Sequence, residues 1–451
     1  MKFGGTSVGD AARIAAVCEI VRTHAGRQPV LVVSALAGVT DLLSRAITAA
    51  AAGDRERIEA ELSDLERRHR WALAAVEGPR LRHDLSLEVD ALFEELRQLF
   101  RSVRILGEGT PRAADALLAF GEILSTRILV AALRDRGLPA RWVDPREVMI
   151  TSARHGAAEP DLDAIETRAR AALAPLVEAG EIPVLGGFVG TSPQGVTTTL
   201  GRGGSDTSAA ALGSALCAEE IQIWTDVDGL MSADPKLVPA ARRLEAVSFG
   251  EAAELAYYGA RVLHPASIAP AVRRGIPVRI LNSMRPEGPG TRIEAEGGAA
   301  SPPIASVASR AGVCTLRITG RGMRVDPGFL PRTLAALERE GCLWDLVVSS
   351  EVGVTLALQG GGDPQGLARA LAADARVEIA SARAIVCVVG AALAHDPAVR
   401  VRVLSSLAEW EPELVAMGGS GSSAAAVISD SRLEECVRGL HRRFFEEGPQ
   451  T

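Results

Sequence analysis

Residues 198–208, Thr-Thr-Leu-Gly-Arg-Gly-Gly-Ser-Asp-Thr-Ser, stand between an apolar run, Ile182 to Val189, and an alanine-rich helical segment, Ser208 to Ala218. A strand, then a glycine turn, then a helix N-terminus is an α/β arrangement, and ligands of such folds gather at the carboxyl ends of strands. The first turn of a helix offers unpaired N–H groups and the positive end of its dipole, so it favours an anion. Gly201, Gly203 and Gly204 let backbone come close to that anion, and Arg202 can hold a carboxylate or phosphate through two parallel hydrogen bonds. Taken alone, the stretch reads equally well as an αβ connection with a surface arginine.

A second glycine turn, Lys2-Phe3-Gly4-Gly5-Thr6-Ser7, precedes a segment in which Ile14, Val17, Ile20 and Val21 recur at helical spacing. A lysine beside two glycines and two hydroxyls suits phosphate, because the ammonium is a mobile point charge. The chain has no GxxxxGK[ST] loop and neither an HRD nor a DFG triplet, so it is neither a Walker NTPase nor a protein kinase.

Strand-like and helical segments alternate through this half: Pro29 to Ser34, Pro111 to Arg136, Ala140 to Val143, Leu162 to Glu178, Ile182 to Val189, Ser205 to Ala218, Ile221 to Thr225. Asp84 to Ser102 adds an amphipathic helix with Leu85, Val89, Leu92, Leu96 and Leu99 on one stripe. The alternation predicts a three-layer α/β sandwich with a mainly parallel sheet. The Pro- and Gly-rich stretch 285–303 marks a domain boundary. Beyond it come two successive βαββαβ patterns, the signature of a ferredoxin-like pair.

Net charge is −7, from 49 basic and 56 acidic residues, without a basic block, which argues against nucleic acid as a partner. The six cysteines show no CxxC spacing, as expected of a reducing compartment without a zinc site or disulfide frame. No uninterrupted apolar run reaches membrane-spanning length and no signal-peptide core is present, so no membrane association and a cytoplasmic location are expected.

The motifs KFGGTSVGD, VVSALAGVTDLL, FGEILS, TTTLGRGGSD, WTDVDGL with ADPK, and GARVLHPASI resemble, in order, those of the aspartate kinase family, most closely its monofunctional, lysine-sensitive bacterial type. The resemblance runs from Lys2 to near Phe445. It implies an amino-acid kinase domain over residues 1–295 and tandem ACT domains over 304–380 and 381–451. It also implies transfer of the ATP γ-phosphoryl group, with Mg²⁺, to the side-chain carboxylate of L-aspartate. That reaction opens a route to lysine, threonine and methionine, under feedback by lysine, in a homodimer or homotetramer joined through the ACT domains. A catalytically weak amino-acid sensor, or a sister kinase acting on another carboxylate, are the competing readings.

The resemblance also distributes roles. Lys2, Gly4 and Gly5 match the phosphate-contacting turn, and Ser34 and Thr40 flank a substrate turn. Glu122, whose spacing alone fits a solvent face or a ligand's ammonium equally well, is assigned to the α-amino group of aspartate. Arg202 is the carboxylate clamp, with Gly203, Gly204 and Ser205 beside it. Asp206 has two jobs open to it, capping the helix in its first turn and orienting Lys2 and the phosphates, and both together is the favoured reading. Thr225, Asp226, Met231, Lys236, Arg261 and Val262 fall on the nucleotide side, whereas His264 reads as structural. Effector contacts fall on Met323, Val325, Asp326, Gly328, Phe329, Leu330, Trp344, Asp345, Ser350 and Glu351. The chain departs from the pattern at Met231 (commonly Tyr), Lys236 (usually Arg), Arg261 (commonly Lys) and Val325-Asp326 (usually His-Ser). Relatives also carry an apolar strand ahead of the lysine turn. Without it, an exposed sheet edge or a poorly anchored Lys2 is expected.

Overall fold

The computed structural model describes residues 1–259, 263, 265–295, 303–320, 328–359, 361–372 and 375–447. They fall into two compact units, Met1–Leu230 with Val262–Gly297, and Met231–Arg261 with Gly298–Thr451.

The first unit runs β1 (Lys2–Phe3), α1 (Ala11–His24), β2 (Leu31–Val33), α2 (Val39–Ala51), α3 (Arg55–Ala72), α4 (Pro79–Leu106), α5 (Pro111–Asp135), β3 (Ala140–Trp142), α6 (Pro145–Val148), α7 (Leu162–Glu178), β4 (Ile182–Gly186), β5 (Val189–Thr191), β6 (Thr197–Thr199), α8 (Gly204–Ala215) and β7 (Ile221–Thr225). After the chain returns from the second unit, α10 (Ala269–Arg274), β9 (Val278–Asn282) and β10 (Thr291–Glu294) complete it. Its sheet runs β3-β4-β2-β1-β7-β9-β10, parallel up to β9, with β10 antiparallel to β9. Strands buried on both faces must be apolar throughout, and β2 is Leu-Val-Val with every residue buried.

Strand β1 is short but central, pairing Lys2 with Val32 on one side and Ile223 on the other. The expected exposed edge is therefore not found at Lys2, which is only 9% exposed. Phe3 stacks on Trp224 with ring centroids 6.0 Å apart, locking the strand into the core.

Helix α5 begins with proline behind a Thr110 cap, whose hydroxyl accepts from Ala113 N–H. It is long and apolar enough to cross a membrane, but 83% of its most apolar window is buried inside the unit, which makes it a core helix. The run read as one strand over 182–189 breaks in two. Phe188 adopts φ +64°, a left-handed backbone uncommon for an aromatic residue, and the chain leaves the main sheet to form the β5–β6 ribbon.

In the second unit, β8 (Ala246–Ser248) leads into α9 (Phe249–Tyr258), started by a Ser248–Glu251 capping box. There follow β11 (Ser306–Gly320), α11 (Phe329–Arg339), β12 (Trp344–Ser349), β13 (Gly353–Leu358), α12 (Pro364–Leu371), β14 (Ala375–Val389), α13 (Ala392–His395), α14 (Pro397–Ala408), β15 (Leu414–Met417), β16 (Ser423–Ser429) and α15 (Leu433–His441). One antiparallel sheet, β12-β13-β11-β14-β16-β15, spans both βαββαβ modules.

The modules are not simply successive. Residues 313–320 of β11 serve the first module, while Ser306 to Arg310 pair with Val389 to Ile385 and supply the fourth strand of the second. Residues 231–261 also contribute here. Ala233 and Val238 pack with Val386, Val388, Val403 and Leu407, and Ser232 Oγ lies 2.9 Å from Nε2 of the buried His441.

Candidate active site

The two glycine turns meet. β1 ends at the first turn and α8 begins at the second, and Lys2 Nζ lies 2.7 Å from Asp206 Oδ1, with both side chains largely shielded from solvent. Asp206 sits in the first turn of α8, where its charge also suits the helix dipole. The residue preceding α8 is Gly203 at φ +72°, with no side-chain cap, so of the two roles weighed for Asp206 the geometry shows the pairing with Lys2.

Gly4 donates its N–H to Trp224 O at 3.0 Å, so that group ties the turn to β7. Gly5 is required by packing, since a Cβ there would lie 2.8 Å from Ala35 O. The loop that crosses it carries Ser34, whose N–H donates to Phe3 O at 3.1 Å and whose carbonyl accepts from Ser125 Oγ at 2.8 Å. Thr40, half-buried, falls in the first turn of α2.

Glu122 projects from α5 at 3% exposure. Burial pushes its carboxyl up to about 8, against a hydrogen bond from Ala35 N–H, and Oε2 is buried without a hydrogen-bond partner among the described residues. A buried carboxylate oxygen left unpaired costs free energy unless a donor fills the place.

On the other turn, Ser205 packs against Gly187, where a Cβ would sit 2.6 Å from Ser205 Cβ. Gly204 is buried, and a Cβ on it would come within 2.8 Å of the Phe188 ring. Arg202 is exposed and lines a cavity of about 580 Å³ together with Asp161, Asp163, Thr207, Ser267 and Arg273. Lys2 and Asp206 are not among that cavity's lining residues, so Arg202 shares its turn with Asp206 but shares this wall with neither.

Thr225 closes β7, its hydroxyl donating to Asp226 Oδ1 at 3.2 Å and its carbonyl accepting from Ser283 N–H at 2.8 Å. Met231 and Lys236 belong to the second unit, where Met231 O accepts from Ser306 Oγ and Lys236 is exposed. Arg261, Val262, His264, Met323, Val325 and Asp326 lie outside the described residues.

Of the effector candidates, Trp344, Ser350 and Glu351 are exposed, Gly328 and Leu330 are half-buried, and Phe329 is buried. Asp345, expected to face a cation, is buried and already held by Arg310 Nη1 and Gln359 Nε2, each at 2.6 Å. Sequence reasoning passed over Gly187, Phe188 and the buried Asp115. The paired glycines after β4, and an acid two turns ahead of Glu122 in an apolar helix, were the available signals.

The profile of the amino acid kinase family matches residues 1–282. The chain is 35% identical to lysine-sensitive aspartokinase 3 of Escherichia coli over 459 residues, covering 99% of this chain and 98% of that one. The chain belongs to the aspartokinase family. Chloroplastic aspartokinase 2 of Arabidopsis thaliana is 33% identical, with 100% of this chain and 84% of that one covered. The solved structure of E. coli aspartokinase III in complex with aspartate and ADP superposes with a TM-score of 0.83 at 34% identity, covering 98% of this chain and 99% of that one. Its complex with lysine and aspartate gives 0.84 at the same identity, with 98% of each chain covered. The aspartokinase fold, a kinase sandwich followed by an antiparallel sheet, is thus the fold of this chain.

Proposed function

We propose that this chain transfers the γ-phosphoryl group of ATP to the side-chain carboxylate of L-aspartate, giving 4-phospho-L-aspartate and ADP, and that lysine restrains it. The observation that carries the substrate is Glu122. Its buried Oε2 has no donor among the described residues, and the α-ammonium of an amino acid is a donor of the right charge. The E. coli relative solved with aspartate and ADP, and again with lysine and aspartate, supports the same substrate and effector.

Bringing a carboxylate to a triphosphate means placing two anions together, so catalysis here is positioning and charge neutralisation. Lys2, oriented by Asp206, neutralises phosphoryl charge, while the N-terminus of α8 faces the same anions. Arg202 receives the α-carboxylate, and Ser34, Thr40 and Ser205 complete the aspartate side. A carboxylate oxygen of aspartate forms the new bond to Pγ as the bond to the β-phosphate oxygen breaks. That oxygen is already ionised, so no general base is required.

Thr225 and Asp226 stand on the nucleotide side. By the same likeness Met231, Lys236, Arg261 and Val262 are assigned to the nucleotide. Mg²⁺ would be held mostly by the ATP phosphate oxygens and water, since it keeps its hydration and needs few carboxylates. Mg²⁺ arriving with ATP supplies further neutralisation of the phosphates.

Lysine would bind the second unit near Trp344, Ser350 and Glu351. The exposed Trp344, Val348 and Val352 at the β12 edge support assembly of copies through that sheet. A cytoplasmic location fits the scattered cysteines, all unpaired. The deciding experiment is a hydroxamate assay for acyl phosphate with MgATP and aspartate, acetylglutamate or glutamate. Acyl phosphate from aspartate, suppressed by lysine, is expected. Its absence refutes the proposal.

A further inference from the structure

Asp115 is fully buried in α5, and its carboxylate gathers three donors from two other stretches of backbone. His155 Nδ1 lies 2.7 Å away, Gly156 N–H donates at 3.0 Å, and Thr199 Oγ1 donates at 2.5 Å. With the tautomer that places N–H at Nδ1, His155 donates to this carboxylate as the other two groups do. Ala158 N–H then donates to Thr199 O at 2.9 Å, joining the same two stretches directly.

Two residues beyond Thr199 is Gly201, at φ +72°, and a Cβ on it would lie 3.0 Å from Gly156 O. The loop around His155 is therefore the bed on which the Arg202 turn rests, and Asp115 pins bed and turn together. Asp115 also precedes Glu122 by two helical turns on the same face of α5. One rigid helix thus references both the buried carboxylate with the unpaired oxygen and the turn that bears the guanidinium.

We infer that Asp115 and His155 are positioning residues that fix the spacing between Glu122 and the Arg202 turn, and so govern the fit of the amino-acid substrate rather than of ATP. The inference rests on the aspartate site proposed above. Neither residue touches substrate in this scheme. Both act through the backbone they hold, where a small displacement weakens a charge-assisted contact.

The test uses the full chain with His155→Ala, which removes the donor, and His155→Asn, whose amide N–H reaches the position of Nδ1. His155 is the milder target because its side chain is 19% exposed, whereas Asp115 is fully enclosed. His155→Ala should raise the aspartate KM about tenfold while kcat and the ATP KM stay within about twofold, and His155→Asn should restore the aspartate KM to within about twofold of wild type. In ligand-free protein, amide exchange in residues 199–206 should quicken about tenfold in His155→Ala, with the interior of α5 unchanged. Equal rises in both KM values, an unaltered aspartate KM, or an Asn variant no better than the Ala variant would overturn the inference. If the wild-type chain fails to phosphorylate aspartate, the proposed function falls and exchange alone decides. Faster exchange confined to 199–206 then upholds the tie, and unaltered exchange overturns it.

Discussion

Lys2 Nζ and Asp206 Oδ1 stand 2.7 Å apart although 204 positions separate them, one at the start of the central strand and one in the first turn of α8. The pair joins the two glycine turns inside a chain of net charge −7. The local field, not the overall charge, therefore decides what binds.

Lys2→Met removes the charge while keeping the stem. It should lower kcat/KM for ATP by about 100- to 1,000-fold, the usual loss for one group aimed at transition-state charge. It also leaves Asp206 without its partner, so Lys2→Met with Asp206→Asn should be more stable than the sum of the single changes. Initial-rate kinetics and thermal melts of the three variants check both outcomes. A purely additive melt would show that the pair contributes nothing beyond its members.

Glu122 sets a pH dependence. Its carboxyl titrates at about 8 in the folded chain, against an ordinary value near 4.3 when unfolded. The folded state holds the proton over that interval and the unfolded state does not, so stability falls as pH rises from about 4.5 to about 8 and levels beyond. Glu122→Gln should remove that decline, visible in denaturant melts across the interval. An arriving α-ammonium favours the ionised form, so aspartate binding should release close to one proton per site below pH 8. Calorimetry in buffers of different ionisation heat measures it, and no proton release would separate Glu122 from the ammonium.

Arg202→Ala should raise the aspartate KM and reduce kcat/KM for aspartate by about 100-fold, with ATP binding little changed. The exposed Arg202 side chain makes this a test of binding rather than of folding. Unchanged aspartate kinetics would remove it from the site.

Gly187→Ala places a methyl 2.6 Å from Ser205 Cβ, with backbone rather than a flexible side-chain end close behind. The first turn of α8 must shift, and overpacking of this kind costs about 1–3 kcal/mol. Both the melting temperature and kcat/KM should fall. A variant with wild-type values for both would mean that α8 tolerates displacement.

Glu351→Ala should weaken lysine inhibition about tenfold while leaving kcat near wild type, within the usual range of coupling between sites. Dose–response curves at fixed aspartate read it out. Wild-type inhibition would move the effector away from the β12–β13 turn.

The turns were legible because a strand, a glycine cluster and a helix start are local in sequence, and the helix read over Pro111 to Arg136 matches α5 to within a residue. The pairing of Lys2 with Asp206 was legible only through the family likeness, since distance between distant residues is set by sheet order. The occupation of Asp345 by Arg310 was hidden for the same reason: β11 and β12 are brought together by β13 between them. Asp115 looked like any acid in a helix until the loop bearing His155 folded onto it. The break at Phe188 was invisible to an apolar pattern that continues through it.

The borrowed strand at Ser306 to Arg310 has a consequence for how the regulatory half can be divided. The module encoded last is closed by chain that is encoded before the first, so covalent order and spatial order are offset by one segment. A fragment beginning near residue 381 would carry every helix of that module yet leave one flank of its sheet bare. The two modules therefore form and melt as one body, and a disturbance in either is inherited by the other along a shared backbone.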